Sequence, residues 1–176
     1  VSVENNKITG DGVAPERAGI NILSRAYTNP AVAVLQDVTV RNNTVTGANR
    51  GIFVMPNSRN GGDATISNLL IEKNKVDGNI DGIVIQDFLQ IDISIGNTAT
   101  HSNIDILSNI IINSVGPSSG VHLNPGTSGT GLEIHQNHII GNNIGLNHEG
   151  TGTLNATYND WGDCEGPNVD GLGNPG

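Results

Sequence analysis

The side chains most able to contact a ligand lie within, or directly after, copies of one short segment. The segment is Gly or Asn followed by alternating apolar residues, as in Gly82-Ile83-Val84-Ile85. If the copies stack in register, their outward positions form a single surface patch. The members of this patch are Phe53, Asp87, His122, Asn124 and His148. Because aromatic, amide and acidic side chains together suit a sugar chain, the sequence predicts a carbohydrate-contacting patch.

A second pattern, apolar-x-apolar-x-x-Asn-x-apolar, precedes each copy of the first. Its first copy is Val1/Val3/Asn6/Ile8, and its asparagines follow one another at intervals of 22 to 37 residues. A repeat of this length indicates a solenoid, a propeller or an array. The asparagines are Asn6, Asn43, Asn74, Asn109, Asn137 and, in a weaker copy, Asn159.

These six asparagines are predicted to be structural. At a tight corner the chain leaves the β conformation, and Asn tolerates the left-handed region better than other non-glycine residues. Its amide both donates and accepts hydrogen bonds, so asparagines in successive repeats can bond to one another as a ladder. A buried amide without partners would cost about 1 to 3 kcal/mol, so the ladder must be continuous.

Composition and periodicity favour an all-β fold. Aromatic residues are only 3% of the chain, so branched aliphatic side chains must fill the core, and these suit a pleated surface. Corners are expected at Gly47, Gly78, Asn113 and Gly141. A leucine-rich repeat is the competing solenoid, but its repeats keep to about 20 to 29 residues. We therefore predict a right-handed parallel β-helix of about five to six coils.

The charge balance limits the partners of the chain. Its 176 residues carry a formal net charge of -9, and no basic stripe is present for a phosphate backbone. Nucleic acid is thus an unexpected partner. No run approaches 18 apolar residues, so no membrane-spanning helix is expected either.

The repeated V-x-V-x-x-N-x-V followed by G-I-x-V resembles the right-handed parallel β-helix repeats of the pectate-lyase-like superfamily. The segment from Asn159 through Trp161 and Gly162 to Gly166-Pro167 resembles the N-x-W-G…G-P element that closes β-helix domains of secreted proteins. The resemblance implies a secreted or cell-surface location, with the Trp161 indole plugging the end of the coil stack.

The same resemblance divides the chain into a β-helix over 1–162 and a Gly/Pro-rich acidic tail or cap over 163–176. Related closing elements carry two cysteines, whereas this chain has only Cys164, whose partner is left open. The first residue, Val1, falls in mid-pattern, which favours a mature form or an excised piece of a longer protein.

The superfamily includes polysaccharide lyases, epimerases and glycoside hydrolases. This sequence contains neither the D-P-H of alginate epimerases nor the N-T-D, D-D and G-H-G set of polygalacturonases. We therefore expect a non-catalytic extracellular module, a rigid surface or filament element that self-associates end to end and contacts polysaccharide. The alternatives are a polysaccharide lyase or C5-epimerase, and a carbohydrate-binding module.

No cofactor is expected, and one cation site is considered. Acidic residues among glycines at the end of the chain offer oxygen ligands of the kind that calcium takes. Their spacing matches no calcium loop, and no other metal site is predicted. They are Asp160, Asp163, Glu165 and Asp170.

Overall fold

The computed structural model describes residues 1–11, 17–28, 30–89, 98–115, 118–125, 127, 130–151 and 153–162. This part of the chain is all-β and contains no helix. The segment 163–176 lies outside the described residues, and with it Cys164 and three of the acidic residues considered for calcium. The strands are β1 (Ser2–Glu4), β2 (Lys7–Thr9), β3 (Ala18–Ala26), β4 (Val32–Arg41), β5 (Thr44–Thr46), β6 (Arg50–Ser58), β7 (Asp63–Glu72), β8 (Lys75–Asp77), β9 (Asp81–Ile85), β10 (Phe88–Leu89), β11 (Ala99–Leu107), β12 (Ile110–Ile112), β13 (Ser119–Leu123), β14 (Thr130–His135), β15 (His138–Ile140) and β16 (Ile144–His148).

The strands return in turn to three parallel sheets, as a parallel β-solenoid requires. Sheet A has the order β1-β4-β7-β11-β14, and sheet B the order β2-β5-β8-β12-β15. Sheet C consists of β3, β6, β9, β13 and β16, with β10 beside the end of β6. All the strand pairs are parallel, which confirms the predicted fold class and rules out a helix-backed horseshoe for the described residues.

The stacking is less uniform than the repeat suggested. One coil is one pass of the chain through the three sheets. Within the described residues, three coils are stacked between a complete coil on each side; these are β4–β6, β7–β10 and β11–β13. The first and last coils, β1–β3 and β14–β16, each have a complete neighbouring coil on one side only. The sixth Asn copy adds isolated bridges, from Asn155 to Glu133 and from Asp160 to His138. The expectation of about five to six equivalent coils is therefore too high, since the fully stacked part is about three coils.

Branched aliphatic side chains fill the interior, one above the next. In sheet A the register aligns Val40 with Ile71, Ile71 with Ile106, and Ile106 with Ile134. All four side chains are fully buried. Burying each contributes about 1.5 to 3 kcal/mol, so the aromatic-poor composition still yields a continuous core. Trp161 is also buried in this hydrophobic cluster.

The asparagine ladder is present and runs in one direction. The Oδ1 atom of Asn43 accepts hydrogen bonds from both the backbone N and the Nδ2 of Asn6, while its own Nδ2 donates to Val3 O at 2.8 Å. Each later asparagine repeats this arrangement, with donor–acceptor distances of 2.8 to 3.0 Å along the ladder. The predicted structural role of the six asparagines is confirmed.

The reason for asparagine at these positions differs from the one expected. The left-handed residue at each corner is the one before the ladder asparagine, with φ of 54° to 59°. The ladder asparagine is needed for its amide, and its neighbour takes the unusual backbone angle. These neighbours are Asn5, Asn42, Lys73, Ser108, Gln136 and Tyr158.

A second corner uses the same device, which the repeat pattern did not reveal. Asn79 and Asn142 are buried and follow the left-handed glycines Gly78 and Gly141. The Oδ1 of Asn79 accepts from the backbone N of Ala48 at 2.9 Å, and that of Asn142 accepts from Ser114 N at 3.0 Å. The predicted corners at Gly47, Gly78, Asn113 and Gly141 all have positive φ.

Glycines at the start of sheet C lie where two coils and a neighbouring sheet meet. A Cβ built on Gly82 would be 2.6 Å from Ile111 Cγ2 and would also overlap the Gly120 carbonyl. One coil further, a Cβ on Gly120 would be 2.9 Å from Gly145 O. The pattern of Gly or Asn followed by alternating apolar residues predicts that the last copy starts at Asn143, but the register places Gly145 opposite Gly120, two positions later.

Removing one amide of the ladder should be far more costly than removing an exposed amide. In Asn109→Ala, two donors of Asn74 and the carbonyl of Ile71 lose their partners. We expect a loss of at least about 3 kcal/mol in the free energy of unfolding, measured by denaturant titration. The control is Asn21→Ala, on an exposed outward position, for which the change should stay within about 0.5 kcal/mol. Similar losses of unfolding free energy in both variants would contradict a stabilising role for the hydrogen bonds of the ladder.

Alanine substitutions at two glycines allow the cost of steric crowding to be compared with the cost of backbone strain. Gly82→Ala places a methyl group against backbone and core atoms, and we expect it to lower unfolding free energy by about 3 kcal/mol or more. Gly78 has φ +63° and open space around its Cβ position, so Gly78→Ala should cost only about 1 kcal/mol through the left-handed conformation. Denaturant unfolding of the two variants checks this difference, and an equal or reversed order would refute it.

Candidate functional site

A groove lies on the outward face of sheet C, across the first three passages of the chain. It has a volume of about 260 Å³. Strands β3 and β6 supply most of its walls, and the segment from Gln86 to Phe88 closes it. The lining residues are Asn21, Arg25, Arg50, Phe53, Met55, Asn57, Arg59, Gln86 and Phe88. We call this the arginine groove.

Aromatic rings hold two of its guanidinium groups. The guanidinium carbon of Arg50 lies 4.3 Å from the centroid of the Phe53 ring. That of Arg59 lies 5.0 Å from the ring of Phe88 and 5.6 Å from the ring of Tyr27. A cation over a ring face is favoured electrostatically, and it leaves the N–H groups at the guanidinium edge able to donate.

No carboxylate of the described residues contacts these guanidinium groups directly, although Asp81 is the register partner of Arg50 in the adjacent strand. Within the described residues, no salt bridge joins Arg25, Arg50 or Arg59 to a carboxylate. Arg59 Nε donates to Asn57 Oδ1 at 3.2 Å, which orients the group without removing its charge. The chain has eight basic residues and a net charge of -9, so three arginines in one groove are a local reversal of its overall charge.

Phe53 is the one predicted patch residue that lines the arginine groove. Its side chain is nearly buried, since the Arg50 guanidinium covers the ring. Phe53 therefore faces a ligand mainly through the cation stacked on it.

Asp87 has a buried carboxylate. Its side chain is 3% exposed, and Oδ1 lies 2.8 Å from His101 Nδ1. The neighbouring residues Gln86 and Phe88 line the groove, so Asp87 lies behind the wall that they form.

The other predicted residues lie further along the solenoid. His122 Nδ1 is 4.0 Å from Asp81 Oδ1, and His122 Nε2 is 3.7 Å from Glu149 Oε1. In the sheet, His122 pairs with Val84 and with Asn147. The sequence pattern predicts Gly145 as the outward neighbour of His122 in the last copy, whereas the register places Asn147 there.

Asn124 and His148 lie at the far end of sheet C. Asn124 donates its backbone N–H to Ile85 O at 3.0 Å, and its Oδ1 is buried without a partner among the described residues. His148 is exposed and pairs with Leu123. The structure thus brings Phe53 to the arginine groove and leaves the other four predicted residues apart from it. A carbohydrate contact by any of the five stays a prediction.

The three arginines of the groove do not form the basic stripe that a phosphate backbone would require, because they are separated by 25 and 9 positions in the sequence, so the charge pattern alone did not indicate a site. The available signal was their placement, since Arg25, Arg50 and Arg59 all fall inside or beside the sheet C segments of the first two repeats. Register then puts Arg25 opposite Asn57, two residues before Arg59.

Two carboxyl groups outside the groove have shifted pKa values. The pKa of Asp77 is lowered chiefly because Asn113 Nδ2 donates to its Oδ1 at 3.0 Å, with a further contribution from Lys75. The pKa of Asp160 is lowered by the Gly162 N–H first and then by His138, whose Nδ1 is 2.7 Å from Oδ2.

These contacts bear on the cation site considered from the sequence. Asp160 is the one member of that acidic set within the described residues, and it is bonded to His138 and Gly162. No group of three or more His, Cys, Asp or Glu side chains suited to a metal ion occurs in the part of the chain that the structure describes.

Comparisons with known proteins leave the family open. No family model matched the chain, and neither a curated protein nor a solved structure was found to be similar. Among the described residues, no helix has the length and apolarity needed to cross a bilayer.

Proposed function

We propose that this protein is a non-catalytic, extracellular β-helix module that contacts an acidic polysaccharide through the arginine groove. The observation that carries the proposal is a set of three guanidinium groups in one groove of an otherwise acidic chain, none of them in a salt bridge with a carboxylate of the described residues. The resemblance of its repeats to secreted β-helix proteins supports the same assignment.

The chemistry of the groove suits a uronate or another anionic sugar. A guanidinium presents N–H donors in a planar fork that matches the two oxygens of a carboxylate. The amides of Asn21, Asn57 and Gln86 add donors and acceptors for sugar hydroxyl groups. Aromatic rings fix Arg50 and Arg59 before binding, which reduces the entropy lost when a ligand orders them.

The position of the groove favours a polymer. Its residues come from successive strands on the outward face of sheet C, so the groove crosses several coils and a chain of sugars can extend along it. Nucleic acid is a weaker match, because the negative charge elsewhere on the chain repels a long phosphate backbone.

Replacing a groove arginine should weaken binding to uronate polymers. We expect Arg59→Gln and Arg50→Gln each to lower affinity for polygalacturonate or alginate about tenfold, because a charge-assisted hydrogen bond worth about 1.5 kcal/mol is lost. Isothermal titration calorimetry measures the change, and added salt should weaken the wild-type interaction.

The matched control is Arg41→Gln, on sheet A, where Arg41 pairs with Glu4 at 3.1 Å. This variant should bind like the wild type. Equal binding by the Arg59 and control variants, or no affinity for any acidic polymer, would refute the proposal. The release of unsaturated sugar, followed by ultraviolet absorbance, would show a lyase instead of a non-catalytic module.

A second role, end-to-end assembly into filaments, is favoured by the first passage of the chain. Among the described residues, strands β1, β2 and β3 each pair with one neighbouring strand, so their other edge faces no strand of this part of the chain. Such an edge is a template for another strand. Analytical ultracentrifugation should show association that rises with protein concentration and that Ser2→Lys, at an exposed position of β1, reduces. Monomers at every concentration would exclude the filament role.

A further inference from the structure

A small cavity is lined by side chains from sheets A and C and from the segments that follow β13 and β16. Its volume is about 20 Å³. Three leucines form its apolar side. Its polar lining comes from His101, Thr127, His148, Thr151 and Thr153. His148, Thr151 and Thr153 are exposed at the surface, whereas His101 and Thr127 are buried.

His101, one of the lining residues, has an unsatisfied ring nitrogen. The side chain is fully buried, and Nδ1 lies 2.8 Å from Oδ1 of Asp87. Nε2 is buried and has no hydrogen-bond partner among the described residues. Leaving such an atom unpaired would cost about 1 to 3 kcal/mol, so a native protein usually provides a partner.

We propose that this cavity binds one water molecule, which donates a hydrogen bond to His101 Nε2. The volume is just above the roughly 10 to 15 Å³ that a single water needs, and the lining offers several polar atoms. The Asp87 carboxylate accepts from Nδ1–H, which fixes the tautomer and leaves the lone pair on Nε2.

Thr127 supplies the second acceptor. Its hydroxyl donates to Ile85 O at 3.3 Å, so the lone pairs of Oγ1 are available to the other hydrogen of the water. The water then bonds to two buried groups, His101 in sheet A and Thr127 in the segment after β13, and the leucines supply the apolar part of the lining.

The inference goes beyond polysaccharide contact, because it describes a hydrated polar pair inside the solenoid. A carboxylate that orients an imidazole, whose other nitrogen bonds to an enclosed water, makes a fully hydrogen-bonded buried pair. It also explains the burial of Asp87. The segment from Gln86 to Phe88 presents its first and last residues to the groove and secures its middle residue to His101.

A crystal structure at high resolution, from protein treated with a chelator, tests the proposal directly. We expect one oxygen density within about 3 Å of His101 Nε2. In parallel, nitrogen-15 NMR of the histidine rings should show a protonated Nδ1 and an unprotonated Nε2 for His101. Water-relaxation dispersion should count one long-lived water fewer in the double variant Asp87→Leu/His101→Leu, which removes both buried partners together.

His138→Gln is the matched control, since His138 also bonds to an aspartate but is exposed. This variant should keep the full number of long-lived waters. Because the double variant can fail to fold, the wild-type density and ring nitrogen shifts suffice to decide. Absence of the density, a protonated Nε2, or a count unchanged in a folded double variant would overturn the proposal. So would an anomalous peak at this position after addition of zinc, which would indicate a metal ion in place of water.

Discussion

The hydrogen bond from one ladder asparagine to the next is the interaction on which the rest of the structure depends. The Oδ1 atom of Asn109 satisfies two donors of Asn74 in the preceding coil, and the Nδ2 of the same amide donates to the carbonyl of Ile71. Because each amide serves two coils, a shift of one coil by a single residue would break several buried bonds together. The ladder therefore fixes register, and register decides which side chains share a surface.

The ladder also sets which positions can vary. The left-handed residue before each asparagine costs about 1 kcal/mol when it is neither glycine nor asparagine, yet Lys73, Gln136 and Tyr158 occupy such positions. The continuous amide hydrogen bonds offset this strain. At the start of sheet C the constraint is steric, because Gly82 contacts the backbone of the next coil and the core of sheet B. The residue type is therefore restricted at the ladder asparagine and at the glycine near the start of the sheet C strands. The residue before the ladder asparagine differs from coil to coil.

Fixed register gives the proposed binding surface its two sides. Outside, the guanidinium groups of Arg50 and Arg59 rest on aromatic rings and form no salt bridge with a carboxylate of the described residues. Inside, Asp87 and His101 bond to each other away from water. The short segment from Gln86 to Phe88 belongs to both, since alternate side chains on an extended chain point to opposite faces. The arginine groove and the buried pair are therefore joined by three consecutive residues.

The sequence alone was enough to predict the solenoid, the ladder and the corners at Gly47, Gly78, Asn113 and Gly141. These features recur at each repeat, and a requirement that recurs is visible as a pattern. The tertiary structure decided the rest. It aligned Gly145 in the last copy, limited the full stacking to about three coils, turned Asp87 inward and gathered three arginines into one groove. Each of these depends on where loops of unequal length bring the chain back to the next coil. These loops do not repeat in the sequence, so no periodic pattern predicts where they end in the structure.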